Sequence, residues 1–243
     1  MLGRFRERYQ RAMMPVGRLL AKTGITPNGI TTLTLLVALL AAYLFYLGEL
    51  LLGLVTMLVT VFMDMLDGAV ARAANLASKF GATYDHTLDR YAEYLFVLGL
   101  MMGPVGNVTI PWWPYTMGDS FLPWFWGTFA LFGMVMASFT RAKAESVGGM
   151  KSCTVGVAER QEKLMLTFAG ILLLALSPSN LWMDFLALFP GETTSLFASL
   201  RITNILTVCI VLVGILSHIT VIQRLAYARK MIPLAQQEEN PHV

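Results

Sequence analysis

The chain has 243 residues, of which 56% are hydrophobic and only 14% charged, and its mean hydropathy is +0.62. A water-soluble domain of this length closes a core with far fewer apolar residues, so the surplus points to a membrane. The formal net charge of +3 is small, and its placement matters more than its size; no nucleic-acid partner is expected. Cys153 lies in a polar loop and Cys209 in an apolar run, so the two show no metal-ligand spacing and make no disulfide framework.

In chain order, the opening MLGRFRERYQRAMMPVGRLLAKTG is basic and amphipathic and lacks the apolar core and cleavage site of a signal peptide. It reads as a helix on the cytoplasmic membrane surface, with Arg4, Arg8, Arg11, Arg18 and Lys22 available to anionic lipid. A basic start that only fixes topology is the plainer alternative. Residues 1–27 are assigned to this juxtamembrane helix. Six later stretches approach the roughly 20 mostly apolar residues that a spanning helix needs: 29–47, 50–72, 86–104, 122–144, 159–177 and 199–224.

No Lys or Arg occurs between Lys22 and Arg72, between Arg90 and Arg141, or between Lys163 and Arg201. Those gaps contain the 47–50 turn and the 104–122 and 177–198 loops, which a six-span chain puts on one side. Lys79, Lys143, Lys151, Arg160, Arg229 and Lys230 fall on the other side, so the positive-inside rule makes both termini cytoplasmic. The expected fold is an all-α integral membrane protein with six transmembrane helices plus an N-terminal amphipathic surface helix. It forms one domain over 28–230, multi-pass in the cell membrane, followed by a flexible cytoplasmic tail at 231–243. The loop IPWWPYTMGDSFLPWFW reads as an interfacial aromatic belt and NLWMDFLALFPG as a short interfacial helix.

The stretch FMDMLDGAVARAANLASKFGATYDHTLDR, at 62–90, carries the chemistry. A carboxylate at the centre of a membrane helix costs roughly 2.5–3.5 kcal/mol on insertion scales, yet four occur here. Asp64 and Asp67 are i and i+3, and Asp85 and Asp89 are i and i+4, so each pair lies on one helix face. The second span ends where the third begins, which brings both pairs to the same cytoplasmic depth. Four carboxylates at one point call for hard divalent cations, most simply two Mg²⁺, with Mn²⁺ as a substitute. The plainer alternative pairs these acids with Arg72, Lys79 and Arg90. Against it stand Gly68, Ala69, Ala71, Ala73, Ala74 and Gly81, which leave bare backbone where a phosphorylated ligand must come close. Arg72 offers such a ligand a charge-assisted fork.

The order Asp64-x2-Asp67-Gly68-x2-Ala71-Arg72-x8-Gly81-x3-Asp85-x3-Asp89 resembles the signature of the CDP-alcohol phosphotransferase family, and the likeness extends over most of the chain. The resemblance implies that Asp64, Asp67 and Asp85 hold two divalent metals against the pyrophosphate of a CDP-linked lipid donor, and that Asp89 is both metal ligand and general base. Asp67, Gly68, Ala71, Arg72 and Gly81 would bind the CDP moiety. It also implies a homodimer.

A second cluster bears on the acceptor. Arg141, Lys143, Arg160 and Arg224 come from three cytoplasmic helix ends, and together they suggest a pocket for an anionic, phosphorylated alcohol. Taken singly, each also serves as a positive-inside signal. The phrases Ser138-x2-Arg141-Ala142-Lys143-Ala144-Glu145 and Ala158-Glu159-Arg160-x2-Lys163 resemble the phosphatidylinositol-phosphate and archaetidylinositol-phosphate synthase branch. That branch implies inositol 1-phosphate as acceptor, bound by Ser138, Arg141, Lys143, Arg160 and Arg224, with Thr31 of TPNGIT also lining the site. The donor is then CDP-diacylglycerol or CDP-archaeol, and membrane lipid is a partner throughout. Glycerol 3-phosphate as acceptor is the alternative within the family, and a divalent-metal transporter is the alternative of another class.

Overall fold

The computed structural model describes residues 13–103, 120–176, 196–197 and 199–239, with side chains through residue 233. Arg4, Arg8 and Arg11, most of the tryptophan-rich loop and the 180–191 segment lie outside the described residues. A helical run over 13–22 (α1) precedes six longer helices. These are α2 Pro27–Tyr46, α3 Leu50–Ala73, α4 Lys79–Met102, α5 Trp124–Ser146, α6 Arg160–Leu176 and α7 Ile205–Glu239.

The chain divides into two compact units, Met1–Gly103 and Pro104–Val243, where the sequence reads as one domain. In the first unit α2 packs against both α3 and α4. Its buried stripe runs Thr31, Thr34, Ala38, Ala41, Ala42 and Phe45, at helical spacing. Small residues let backbones meet: a Cβ added at Gly99 of α4 would stand 2.5 Å from the Ala42 carbonyl oxygen. The α2–α3 reversal is a Schellman close. Gly48 has φ of 89°, Glu49 N–H donates to Leu44 at 2.9 Å and Gly48 N–H to Phe45 at 3.0 Å. In the second unit α5 and α6 pack on α7, and a Cβ at Gly170 would stand 2.9 Å from the Cys209 side chain. Asn204 opens α7, its Oδ1 accepting from Thr207 N–H at 2.9 Å while its Nδ2 donates to the Phe121 carbonyl at 2.8 Å.

Among the described residues three helices are long and apolar enough to cross a membrane: Pro27–Tyr46, Leu50–Ala73 and Ile205–Pro233. Large apolar side chains such as Leu36, Leu40, Leu52, Val55 and Phe62 are exposed on the outer faces of α2 and α3, as lipid contact requires. The other three helices stand at the expected spans without meeting that measure. α4 begins at Lys79 rather than near 86 and carries Asp85, Asp89, Arg90 and Glu93 in its first half. α6 is described over 17 residues. α7 begins at Ile205 rather than 199 and runs through Pro233 to Glu239, so helix extends into the segment read from sequence as a tail.

Candidate active site

The acids are placed by the same stripes that build the first unit. On α3 the buried positions Gly53, Met57 and Thr60 lead, in steps of three and four, through Asp64 to Asp67. On α4 the buried positions Leu100, Phe96 and Ala92 lead back to Asp89 and then Asp85. The carboxylates therefore continue the packing faces and turn inward. Asp67 lies six residues before the end of α3 and Asp85 six residues after the start of α4, which is about 9 Å of helix rise in each case. Asp67 and Asp89 are 5% and 8% exposed.

The reversal between the two helices is built with care. Asn75 takes the left-handed conformation at φ 56°. Leu76 N–H donates to the Ala71 carbonyl at 2.9 Å and Asn75 N–H to Arg72 at 3.4 Å, a second Schellman close that stops α3 just past the signature. Ser78 then caps α4, its Oγ accepting from Gly81 N–H at 2.9 Å. A Cβ at Gly81 would stand 3.0 Å from Ser78 Oγ and 3.3 Å from Asn28 Oδ1, so the first turn of α2 lies against the first turn of α4. Thr32 Oγ1 and the Tyr84 hydroxyl, 2.9 Å apart, fasten the same two helices.

Two ligand groups emerge. One oxygen each from Asp64, Asp67 and Asp85 fall within 4.8 Å of one another, as do ligand atoms of Asp85, His86 and Asp89. Asp85 belongs to both. Three carboxylates that offer only oxygen suit a hard divalent cation such as Mg²⁺ or Mn²⁺, so the residues fit the metals that the signature implies. His86 was not singled out from sequence; it is exposed, and its Nδ1 stands 3.9 Å from Asp85 Oδ2. Its position next to Asp85 and three before Asp89 is the one signal that could have found it.

Gly68 and Ala71 are half-buried and Arg72 is exposed one turn from Asp67. Arg90, read as a possible partner of the acids, donates from Nη1 to Glu93 Oε2 at 2.6 Å, and Glu93 is buried. At Gly17 of α1 a Cβ would stand 2.7 Å from the Ala69 carbonyl oxygen, so α1 lies directly on α3 beside the signature. Thr31, grouped from sequence with the acceptor residues, belongs to the first unit. Its Oγ1 donates to Asp67 Oδ2 at 2.8 Å.

The remaining acceptor candidates belong to the second unit. Ser138, Arg141 and Lys143 are on the last turns of α5, Arg160 opens α6, and Arg224 is on α7. Arg141 Nε donates to Glu145 Oε1 at 3.0 Å, and the same oxygen accepts from Cys153 N–H at 2.9 Å. Arg224 is 8% exposed and donates to the carbonyls of Val155 at 2.9 Å and Ala137 at 2.6 Å. The Nζ of Lys143 stands 5.7 Å from the centre of the Phe139 ring. Sequence reasoning named Lys163 only as part of a motif, yet it is a buried cation on α6.

Comparison with known proteins agrees with this geometry. Residues 24–190 match the CDP-alcohol phosphatidyltransferase family. An archaetidylinositol phosphate synthase of Pyrococcus horikoshii is 31% identical over 234 residues, covering 96% of this chain and all of that one. The crystal structure of Mycobacterium tuberculosis phosphatidylinositol phosphate synthase with CDP-DAG bound superposes with a TM-score of 0.67 at 26% identity, covering 90% of this chain and 94% of that one. The same enzyme in complex with manganese and citrate gives 0.66 at 25% identity, covering 89% and 88%. The chain is a membrane-embedded member of the CDP-alcohol phosphatidyltransferase family of enzymes.

Proposed function

We propose that this enzyme transfers the phosphatidyl-type group of a CDP-linked lipid to inositol 1-phosphate and releases CMP. The observation that carries the reading is the pair of ligand groups, Asp64–Asp67–Asp85 and Asp85–His86–Asp89, that share Asp85. Asp64, Asp67, Asp85 and Asp89 would hold two divalent cations, Mg²⁺ or Mn²⁺. When bound, these neutralise the pyrophosphate charge at the attacking and leaving oxygens. Gly68, Ala71 and Gly81 give the CDP moiety close access to backbone, and Arg72 grips a phosphate oxygen. Asp89 takes the proton from the acceptor hydroxyl. That oxygen attacks the phosphorus on the lipid side, the bond from phosphorus to the CMP oxygen breaks, and CMP leaves with the electron pair.

Arg141, Lys143, Arg160 and Arg224 would hold the acceptor's phosphate. Arg160 opens α6, where its charge opposes the helix dipole. An anion bound there would meet the guanidinium. The whole-length likeness to an archaetidylinositol phosphate synthase supports inositol phosphate over other alcohols. Six spans, both termini in the cytoplasm and a homodimeric assembly belong to the same proposal.

The test is an acceptor panel with CDP-diacylglycerol and Mg²⁺, following CMP release. Inositol 1-phosphate should be used far better than free inositol, glycerol 3-phosphate or serine. Preference for free inositol or serine would overturn the acceptor assignment, and no metal-dependent CMP release with any acceptor would overturn the whole reading.

A further inference from the structure

We infer that Thr31 is a positioning residue for the metal ligand Asp67, and that TPNGIT acts in the reaction by holding the acid-bearing helices rather than by touching the acceptor. Thr31 is 5% exposed and Asp67 equally so, and the bond between Thr31 Oγ1 and Asp67 Oδ2 is 2.8 Å long and crosses from α2 to α3. The hydroxyl has one proton and two acceptors in reach. The Pro27 carbonyl is at 3.1 Å; the carboxylate oxygen is nearer, at 2.8 Å, and takes the proton. A carboxylate has about four lone-pair sites. One donated bond therefore fixes the rotation of the Asp67 group and leaves it able to ligate.

The rest of the motif supports that bond. Thr26 caps α2, its Oγ1 accepting from Gly29 N–H at 3.2 Å, and Pro27 sets the first turn. Asn28 abuts the Gly81 turn of α4 and Thr32 meets Tyr84. Within one turn, α2 is fastened to α4 by Asn28 and Thr32 and to the α3 carboxylate by Thr31. A hydroxyl committed in this way orients the ligand set before a metal arrives, as groups bonded to metal ligands generally do.

The inference rests on the metal reading of the carboxylates, and the experiment separates the two. Mn²⁺ binding to the full chain in detergent is measured by loss of the free-ion electron paramagnetic resonance signal, for wild type, Thr31→Val, Thr31→Ser and Asp67→Asn. Thr31→Val should weaken Mn²⁺ binding by about 10-fold or more, and Thr31→Ser, which keeps the donor, should stay within about threefold of wild type. Wild-type affinity in Thr31→Val with a raised KM for the acceptor would overturn the inference and return Thr31 to the acceptor site. Wild-type affinity in Asp67→Asn would instead overturn the metal reading itself. Where Thr31→Val does not fold, Thr31→Ala set against Thr31→Ser decides by the same criterion.

Discussion

Arg224 donates from Nη1 to the carbonyl of Ala137 at 2.6 Å, across 87 residues of sequence. Its Nε holds the Val155 carbonyl, and its neighbour Gln223 accepts from Val157 N–H at 2.8 Å. One turn of α7 thus holds the α5–α6 connection at Val155 and Val157 and α5 at Ala137. Arg224→Lys keeps the charge but lacks the two separate nitrogens, Nε and Nη1, that reach the two carbonyls. A lost hydrogen bond to a charged donor is worth about 1.5–3 kcal/mol, so the thermal midpoint should fall by about 3–10 °C, read by tryptophan fluorescence in detergent. Arg224→Ala should fall further. Unchanged midpoints in both would show that these bonds do not hold the loop.

Asp89 is buried on the packing face of α4 and carries the proposed base role. Asn has the same size and cannot accept the acceptor's proton, so Asp89→Asn should cut turnover by about 10²–10⁴-fold. Equilibrium binding of the CDP-lipid should stay close to wild type. Asp64→Asn and Asp85→Asn should differ from it by raising the Mg²⁺ concentration needed for half-maximal rate. Near-normal turnover in Asp89→Asn would remove Asp89 from the base role.

The acids were legible in the sequence because their spacing is covalent: i, i+3 and i, i+4 put each pair on a helix face whatever packs around it. The helix reversal was legible only as the place where the second span ends and the third begins; the roles of Asn75 and Ser78 come from the structure. The bond from Thr31 to Asp67 was not, because it joins residues 36 apart and no local pattern records which oxygen a buried hydroxyl faces. Arg224 was legible only in part. Its charge and helix-end position marked it as a phosphate ligand, while its two carbonyl bonds are tertiary and leave no trace in sequence. Apolarity alone under-reads α4, whose first half carries the chemistry and therefore the charges.

The positive-inside reading makes a labelling prediction. Leu47→Cys and Gly106→Cys should react with an impermeant maleimide from outside intact cells, and Lys79→Cys and Lys151→Cys should not. The native cysteines give little background. Both are buried, and burial pushes the Cys153 thiol above its ordinary range, which lowers its thiolate fraction. The reverse pattern would place the carboxylates on the outer face, away from cytosolic substrates.

The two sets of basic residues should separate donor from acceptor. Arg160 is half-buried at the first position of α6, and in the proposed reaction it meets the acceptor's phosphate. Arg72 is exposed about one turn beyond Asp67 on α3, and in the proposed reaction it meets the CDP moiety. Arg160→Ala should raise the KM for inositol 1-phosphate by about 10- to 100-fold, the cost of one charge-assisted bond, with little change for the CDP-lipid. Arg72→Ala should do the opposite. Arg224→Ala serves as the contrast, because a residue that braces the loop lowers stability as well as acceptor use, whereas Arg160→Ala should leave the thermal midpoint near wild type. If Arg160→Ala impairs both substrates alike, or loses stability to the same degree as Arg224→Ala, then Arg160 is part of the scaffold and the acceptor's phosphate is held by other groups.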